Sequence, residues 1–123
     1  MIELKQGDIL TADVEALVNT VNCVGVMGRG IALQFRKAFP ENFKAYKAMC
    51  DRGGLCPGKL FIYEQAQLTN PRYIINFPTK DDWKSQSRIA YIDTGLEVLV
   101  QEVRRLVLRF INDVRVMLPP LGR

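Results

Sequence analysis

The sequence predicts an α/β fold in which helices cover the faces of a mixed or parallel sheet. Two observations support this prediction. Short runs rich in Val and Ile alternate along the chain with longer segments whose apolar residues recur at helical spacing. At 123 residues, of which 48% are hydrophobic and 24% charged, the chain can form one domain with one core.

The N-terminal half predicts two strands followed by two helices. Alternation of apolar and polar residues indicates the first strand, and a Val-rich run indicates the second, which is expected to be buried. Helical spacing of apolar residues then indicates two helices, which Pro40 separates, with Phe43, Tyr46 and Met49 on one face of the second. The predicted elements cover 2–10, with a turn at Gly7–Asp8, and then 16–22, 31–39 and 41–53.

The C-terminal half predicts two more strands, a long helix and a last strand. The runs over 58–64 and 73–77 are strand-like, and Asn70–Pro71 is a turn between them. Gly95 is tolerated inside the long amphipathic helix, and 114–118 is the last strand. The apolar positions of that helix are Ile89, Ile92, Leu96, Leu99, Val103 and Leu106.

Composition excludes several kinds of function. The chain has no His, which removes Ser-His-Asp and Cys-His catalysis and the commonest metal ligand, and no metal or cofactor is expected. Cys23, Cys50 and Cys56 lack metal spacing and do not predict a disulfide framework. The net charge of +4 favours anionic partners, although solvated helix faces explain most of the basic residues. No apolar run reaches the length of a membrane span and no signal peptide is evident, so no membrane partner and a cytoplasmic location are expected.

A glycine-rich segment precedes the first helix. Gly25, Gly28 and Gly30 allow the backbone to approach a ligand, and successive N–H groups next to a helix start favour a phosphate or a diphosphate. A tight structural turn is the alternative. The segment "GVMGRG" is not a Walker loop, because Ile31 follows the last glycine, and it reverses the spacing of a dinucleotide fingerprint. Cys23 lies in the same segment without a base partner and is interpreted as a packing residue.

Three unusual segments follow predicted strands. They are "NCVGVMGRG" after the second strand, "PTK" after the strand over 73–77, and "PPLG" after the last strand. Ligands of α/β sheets bind outside the carboxyl ends of the strands. These segments are therefore expected to form one pocket at the same edge of the sheet.

The segments "GDIL", "ALVNTVNCVGVMGRGIALQF" and "PPLG" resemble the macrodomain family, whose α/β/α module binds ADP-ribose. With "NFPTKDDWKSQSRI", the chain is most similar to the branch that contains terminal ADP-ribose glycohydrolase and the DarG antitoxins, which remove ADP-ribose from DNA. The resemblance covers essentially the whole chain and implies a three-layer α/β/α mixed sheet. Because family members continue beyond "PPLG", a single C-terminally truncated macrodomain is expected over 1–123.

The resemblance also implies which residues contact ADP-ribose. Asp8 and Ile9 would take the adenine end, and a turn Asp that bonds its own backbone is the alternative for the first. Thr20, Val21 and Asn22 would line the end of the second strand. Asn22 would face the distal ribose, or else satisfy the backbone of the loop. Around the diphosphate and distal ribose the implied contacts are Gly28, Arg29, Gly30, Ile31, Ala32, Leu33 and Thr79, with Pro120, Leu121 and Gly122 beginning a second phosphate loop.

Lys80 is the catalytic residue that the resemblance implies. Two roles are chemically open: a neutral amine that attacks the anomeric carbon, or a cation that stabilises the charge on the departing base. Neighbouring Asp81 and Asp82 favour the second role unless they point to solvent. On the local sequence alone, a surface lysine before a turn is the better interpretation.

An aromatic residue between basic ones follows directly. Trp83, Lys84 and Arg88 suit single-stranded DNA, in which a base stacks on a ring and phosphates meet cations. A Trp packed over a helix start is the alternative.

The expected function is therefore an ADP-ribosyl glycohydrolase that removes ADP-ribose from thymidine in single-stranded DNA. It would be the antitoxin of a toxin–antitoxin pair, with ADP-ribosylated DNA and a cognate ADP-ribosyltransferase toxin as partners. Two alternatives stay open. One is an ADP-ribose-binding module without turnover, and the other is a hydrolase of another linkage, such as ADP-ribosyl glutamate or O-acetyl-ADP-ribose.

Overall fold

The computed structural model describes residues 2–3, 9–80, 89–109 and 116–117. Five strands form one sheet in the order β1-β5-β2-β4-β3. All described pairings are parallel except that of β3 with β4, so the sheet is mixed. The strands are β1 (Ile2–Glu3), β2 (Ala16–Val21), β3 (Phe61–Glu64), β4 (Tyr73–Pro78) and β5 (Val116–Met117), and the helices are α1 (Gly30–Ala38), α2 (Pro40–Asp51) and α3 (Ile89–Arg109).

Helices cover both faces of the sheet, because residues of β2 and β4 alternate between the two sides. On one face Val18 and Ile75 pack with Leu99 of α3. On the other face Leu17 packs with Phe35 of α1. The result is the expected α/β/α arrangement, in which β2 is the middle strand and its neighbour β4 is buried along its whole length.

α2 is fixed to the sheet by a polar contact as well as by apolar packing. Its buried stripe is Asn42, Tyr46 and Cys50, whereas the predicted face through Phe43 and Met49 is only partly buried. Nδ2 of Asn76 donates to Oδ1 of Asn42 over 2.8 Å, and the reciprocal distance is 3.3 Å. This buried amide pair holds α2 in register against β4, since each polar group would be costly to bury alone.

One expectation about secondary structure was wrong in detail, and the structure adds a packing role to Gly95. Residues 9–11 form a 3-10 turn and not the end of a strand: N of Ala12 donates to O of Ile9, whose side chain is buried in the core. α3 runs through Gly95 as expected, and the glycine also serves packing, because a Cβ there would lie 2.5 Å from Cζ of Phe77. The helix can approach β4 closely only without a side chain at that position.

None of the helices in the described ranges is both long enough and apolar enough to cross a membrane.

Candidate functional site

A cavity of about 320 Å³ opens at the carboxyl ends of β2 and β4, beside the start of α1. The register pairs Val21 with Pro78, and N of Thr79 donates to O of Val21 over 3.1 Å, so the chain leaves both strands side by side. The volume is at the small end of the usual range of about 300–1,000 Å³ for ligand sites. The lining residues are Thr20, Val21, Asn22, Val26, Gly28, Arg29, Gly30, Ile31, Ala32, Thr79 and Lys80.

The segment 22–30, called the glycine loop below, needs glycine at two positions. Gly25 has φ +84° and Gly30 has φ +63°, in the left-handed region that other residues seldom adopt. Gly25 also packs against α2, where an added Cβ would lie 3.3 Å from Cγ of Lys47. The loop therefore follows the surface of α2 before it turns into α1.

The first turn of α1 gives the cavity an electropositive wall. Gly30, Ile31 and Ala32 line the cavity, and the first N–H groups of a helix have no acceptor within the helix. Arg29 is the N-cap and makes no capping hydrogen bond with its side chain, and the first turn has no acidic residue. Partial positive charge at the helix start, together with the exposed Arg29, favours an anion here.

Asn22 organises the glycine loop from within. Its Oδ1 accepts from N of Val24 over 3.1 Å and from N of Val26 over 3.4 Å, while its Nδ2 donates to O of Val26 over 2.8 Å. The side chain is 4% exposed and lines the cavity. The structure thus shows Asn22 bonded to the loop backbone, and its contact with the distal ribose stays a prediction.

Tyr46 supports Asn22 from behind. Its hydroxyl lies 2.7 Å from Oδ1 and 2.9 Å from the backbone O of Asn22, and its side chain is fully buried. Burial raises the pKa of Tyr46 well above its ordinary value, so the hydroxyl keeps its proton and acts as a donor. Burial likewise raises the pKa of Cys50, one turn further along α2, which keeps that thiol protonated and unreactive.

Lys80 stands where the chain leaves β4, directly after Pro78 and the buried Thr79. It is half-buried and lines the cavity. Sγ of Cys23 donates to its backbone O over 3.7 Å, which links the glycine loop to the end of β4. In the described ranges no carboxylate lies within ion-pair distance of the Lys80 ammonium group.

Most of the candidate residues that the structure describes lie together, and their contacts with a ligand stay predictions. Two do not line the cavity: Ile9 packs in the core beneath α1, and Leu33 is half-buried one turn into the helix. The described residues also offer no group of three His, Cys, Asp or Glu side chains for a metal. The candidates outside the described residues are Asp8, Trp83, Lys84, Arg88, Pro120, Leu121 and Gly122, together with Asp81 and Asp82.

Sequence reasoning missed two residues of this site. Val26 lines the cavity although it is 37% exposed, and its position between glycines was the available signal. Tyr46 was assigned to an apolar helix face, and no local pattern links its hydroxyl to a residue 24 positions earlier.

Comparison with known proteins identifies the family. Residues 18–122 match the family model described as Macro domain. The chain belongs to the macrodomain family. Its similarity to the macrodomain of Thermus aquaticus DarG has a TM-score of 0.90 at 49% identity, covering 100% of this chain and 78% of that structure.

Curated relatives of this macrodomain are much longer proteins. It is 53% identical to a DNA ADP-ribosyl glycohydrolase of Mycobacterium tuberculosis over 99% of this chain and 33% of that protein. It is 28% identical to a DNA ADP-ribosyl transferase-DNA ADP-ribosyl glycohydrolase fusion protein of Thermosipho africanus, over 85% of this chain and 31% of that protein. The chain thus spans about a third of the length of these relatives.

Proposed function

We propose that this macrodomain binds ADP-ribose in the cavity and removes it hydrolytically from thymidine in single-stranded DNA. The observation that carries the proposal is the joint placement of the glycine loop, the start of α1 and Lys80 around one cavity. The name of the M. tuberculosis relative, DNA ADP-ribosyl glycohydrolase, supports the reaction and the substrate.

We assign the diphosphate to the loop wall of the cavity, which is formed by the glycine loop and the first turn of α1 over 22–32. Backbone N–H groups near Gly28 and at the first turn of α1 are suitable donors to phosphate oxygens, and Arg29 adds a positive charge. Binding through the backbone needs glycines that leave room for the ligand. The distal ribose then lies between Asn22 and the strand wall of the cavity, which consists of Thr79 and Lys80.

Lys80 is the proposed catalytic residue, in one of two roles. As a nucleophile, its neutral amine attacks the anomeric carbon, the bond to the base breaks, and the bond's electrons and a proton go to the base; water then releases ADP-ribose and the amine. As a cation, it stabilises the charge on the departing base while water attacks. Lys80→Arg separates the roles, since it keeps the charge and removes the nucleophilic amine. If Lys80→Arg retains turnover, the cation role is favoured. If Lys80→Arg has no turnover, the nucleophile role is favoured.

The test is a release assay on an ADP-ribosylated, thymidine-containing single-stranded oligonucleotide. The wild-type protein and Lys59→Ala, an exposed lysine outside the cavity, should release ADP-ribose at equal rates, and Lys80→Ala should not. Equal release by Lys80→Ala would remove this residue from the mechanism. Parallel assays on ADP-ribosyl glutamate and O-acetyl-ADP-ribose decide between linkages.

A binding module without turnover is the second candidate, because the loop wall needs no contribution from Lys80 to hold a diphosphate. Calorimetry that shows ADP-ribose binding by a protein inactive on all three substrates would favour it.

We also propose a cellular role for the chain. The chain would act in the cytoplasm as one macrodomain over 1–123, as the antitoxin to an ADP-ribosyltransferase. The fusion of both activities in the name of the T. africanus relative supports such a partner. Co-purification with a transferase encoded beside it would test the pairing. We also propose that Trp83, Lys84 and Arg88 contact the DNA. Replacing these residues with Ala should weaken the binding of single-stranded DNA.

A further inference from the structure

We propose that Tyr46 is a positioning residue for ligand binding, which holds the Asn22 side-chain amide with its oxygen toward the glycine loop and one N–H toward the cavity. This inference rests on the proposed function, because it takes the cavity as the ADP-ribose site. It assigns a role in recognition to a residue of α2 that does not line the cavity.

The orientation of the Asn22 amide follows from its partners. The N–H groups of Val24 and Val26 need an acceptor, and the carbonyl of Val26 needs a donor. A flipped amide would place its NH2 group against the N–H groups of Val24 and Val26, and its oxygen against the carbonyl oxygen of Val26. Donors would then face donors, and an acceptor would face an acceptor. The Tyr46 hydroxyl has one hydrogen and two acceptors, Oδ1 at 2.7 Å and the backbone O of Asn22 at 2.9 Å. The shorter contact is the one to Oδ1, so Tyr46 adds a third donor to the oxygen of the unflipped amide.

The Tyr46 hydroxyl is placed by the packing of its ring in the hydrophobic core. Its ring is fully buried among Val21, Met27 and Leu55, and α2 is tied to β4 by the Asn42–Asn76 amide pair. The position of the hydroxyl is therefore fixed whether or not a ligand is present. Preorganised groups of this kind improve binding because less ordering has to accompany ligand capture.

A fixed amide limits which ligand atom Asn22 can recognise. One hydrogen of Nδ2 is bonded to Val26, and the other has no acceptor among residues 2–3, 9–80, 89–109 and 116–117. Its oxygen is already occupied by three donors. Asn22 thus offers the cavity a donor only, and the ligand atom against it is an acceptor, such as a hydroxyl oxygen of the ribose or a phosphate oxygen.

Calorimetry with ADP-ribose on Tyr46→Phe tests the proposal, with Tyr63→Phe as a matched control. Tyr63 lies in β3 outside the cavity, so that variant loses a hydroxyl of the same kind without touching Asn22. Tyr46→Phe should weaken binding about three- to tenfold, the usual effect of one hydrogen bond, and Tyr63→Phe should leave it unchanged. Unchanged affinity in Tyr46→Phe would overturn the inference.

A double-mutant cycle separates positioning from a general structural effect. If Tyr46 acts through the amide, Tyr46→Phe should weaken binding in the wild-type background but not in Asn22→Ala, where the amide is gone. Equal weakening in both backgrounds would show a purely structural role and overturn the inference. If the wild-type protein does not bind ADP-ribose, both the proposed function and the inference fail. If the wild-type protein binds and Tyr46→Phe binds equally well, only the inference fails.

A measurement on the wild-type protein covers the case in which Tyr46→Phe does not fold. In nuclear magnetic resonance spectra, the Asn22 side-chain hydrogen that is not bonded to Val26 should shift most on addition of ADP-ribose. Unchanged signals for both hydrogens of that amide at saturating ADP-ribose would overturn the inference.

Discussion

The two walls of the cavity are built in different ways. The loop wall, 22–32, is made of backbone groups, left-handed glycines and a buried network from Asn22 to Tyr46. The strand wall consists of Thr79 and Lys80, which simply continue a strand that is buried along its whole length. We infer from this difference that the loop wall binds the diphosphate and the strand wall supplies the reactive group, Lys80. Binding and turnover should then be separable by substitution.

The largest expected effect is on turnover at the strand wall. Lys80→Ala should lower the rate of ADP-ribose release by about a thousandfold or more, as expected for the loss of a nucleophile or of a transition-state cation. Because the loop wall is intact, the affinity for ADP-ribose by calorimetry should change little. A parallel loss of affinity and turnover would contradict the division between the walls.

At the loop wall, Gly25→Ala should reduce both stability and binding. A side chain at φ +84° costs about 1–2 kcal/mol and displaces the loop from Lys47, so ADP-ribose affinity should fall with the free energy of unfolding. Gly53→Ala is the matched control: its φ is +68°, it has open space around its Cβ position, and it follows α2 without lining the cavity. That variant should lose stability in urea unfolding but keep its affinity, and equal loss of affinity in both would remove the loop from binding.

Behind the strand wall, Gly95→Ala tests how closely α3 packs against Phe77 of β4. The new Cβ would meet the Phe77 ring, so we expect a loss of about 1–3 kcal/mol in the free energy of unfolding. Glu97→Ala, on an exposed position of the same helix, is the control and should be close to neutral. Wild-type stability in Gly95→Ala would show that α3 does not press against β4 as described.

The buried network of the loop wall should also make stability fall at alkaline pH. Burial raises the pKa of Tyr46 in the folded state, so above the ordinary tyrosine value near 10 the unfolded chain loses a proton that the folded chain keeps. Stability is then complete below that pH and declines above it, by about 1.4 kcal/mol per pH unit for this group. Tyr46→Phe should show a shallower decline in unfolding measurements, and an identical slope would contradict the assignment.

Local patterns predicted most of the architecture, because the strands and helices differ in the period of their apolar residues. β2, β4, α1 and α3 appear within a few residues of the expected bounds. The 3-10 turn at 9–11 was missed, since alternation over a short segment does not reveal that Ile9 turns into the core. The buried stripe of α2 was also misplaced, because Asn42 is polar and its partner Asn76 lies 34 residues away.

The candidate site was predictable to the extent that it is local. The glycine loop has its own sequence signal, and the ends of parallel strands meet at one edge, which brings Lys80 beside the loop. The support that Tyr46 gives to Asn22 had no such signal, because it depends on how α2 packs against the sheet. Contacts between distant segments are visible only in three dimensions.

The most direct test of the central claim is a crystal structure of the protein with ADP-ribose bound. The account predicts the diphosphate on the backbone N–H groups of the glycine loop and the first turn of α1. The anomeric carbon of the distal ribose should lie on the side of Lys80, within reach of its Nζ at about 3–4 Å. A diphosphate bound elsewhere, or a distal ribose that points away from Lys80, would contradict it.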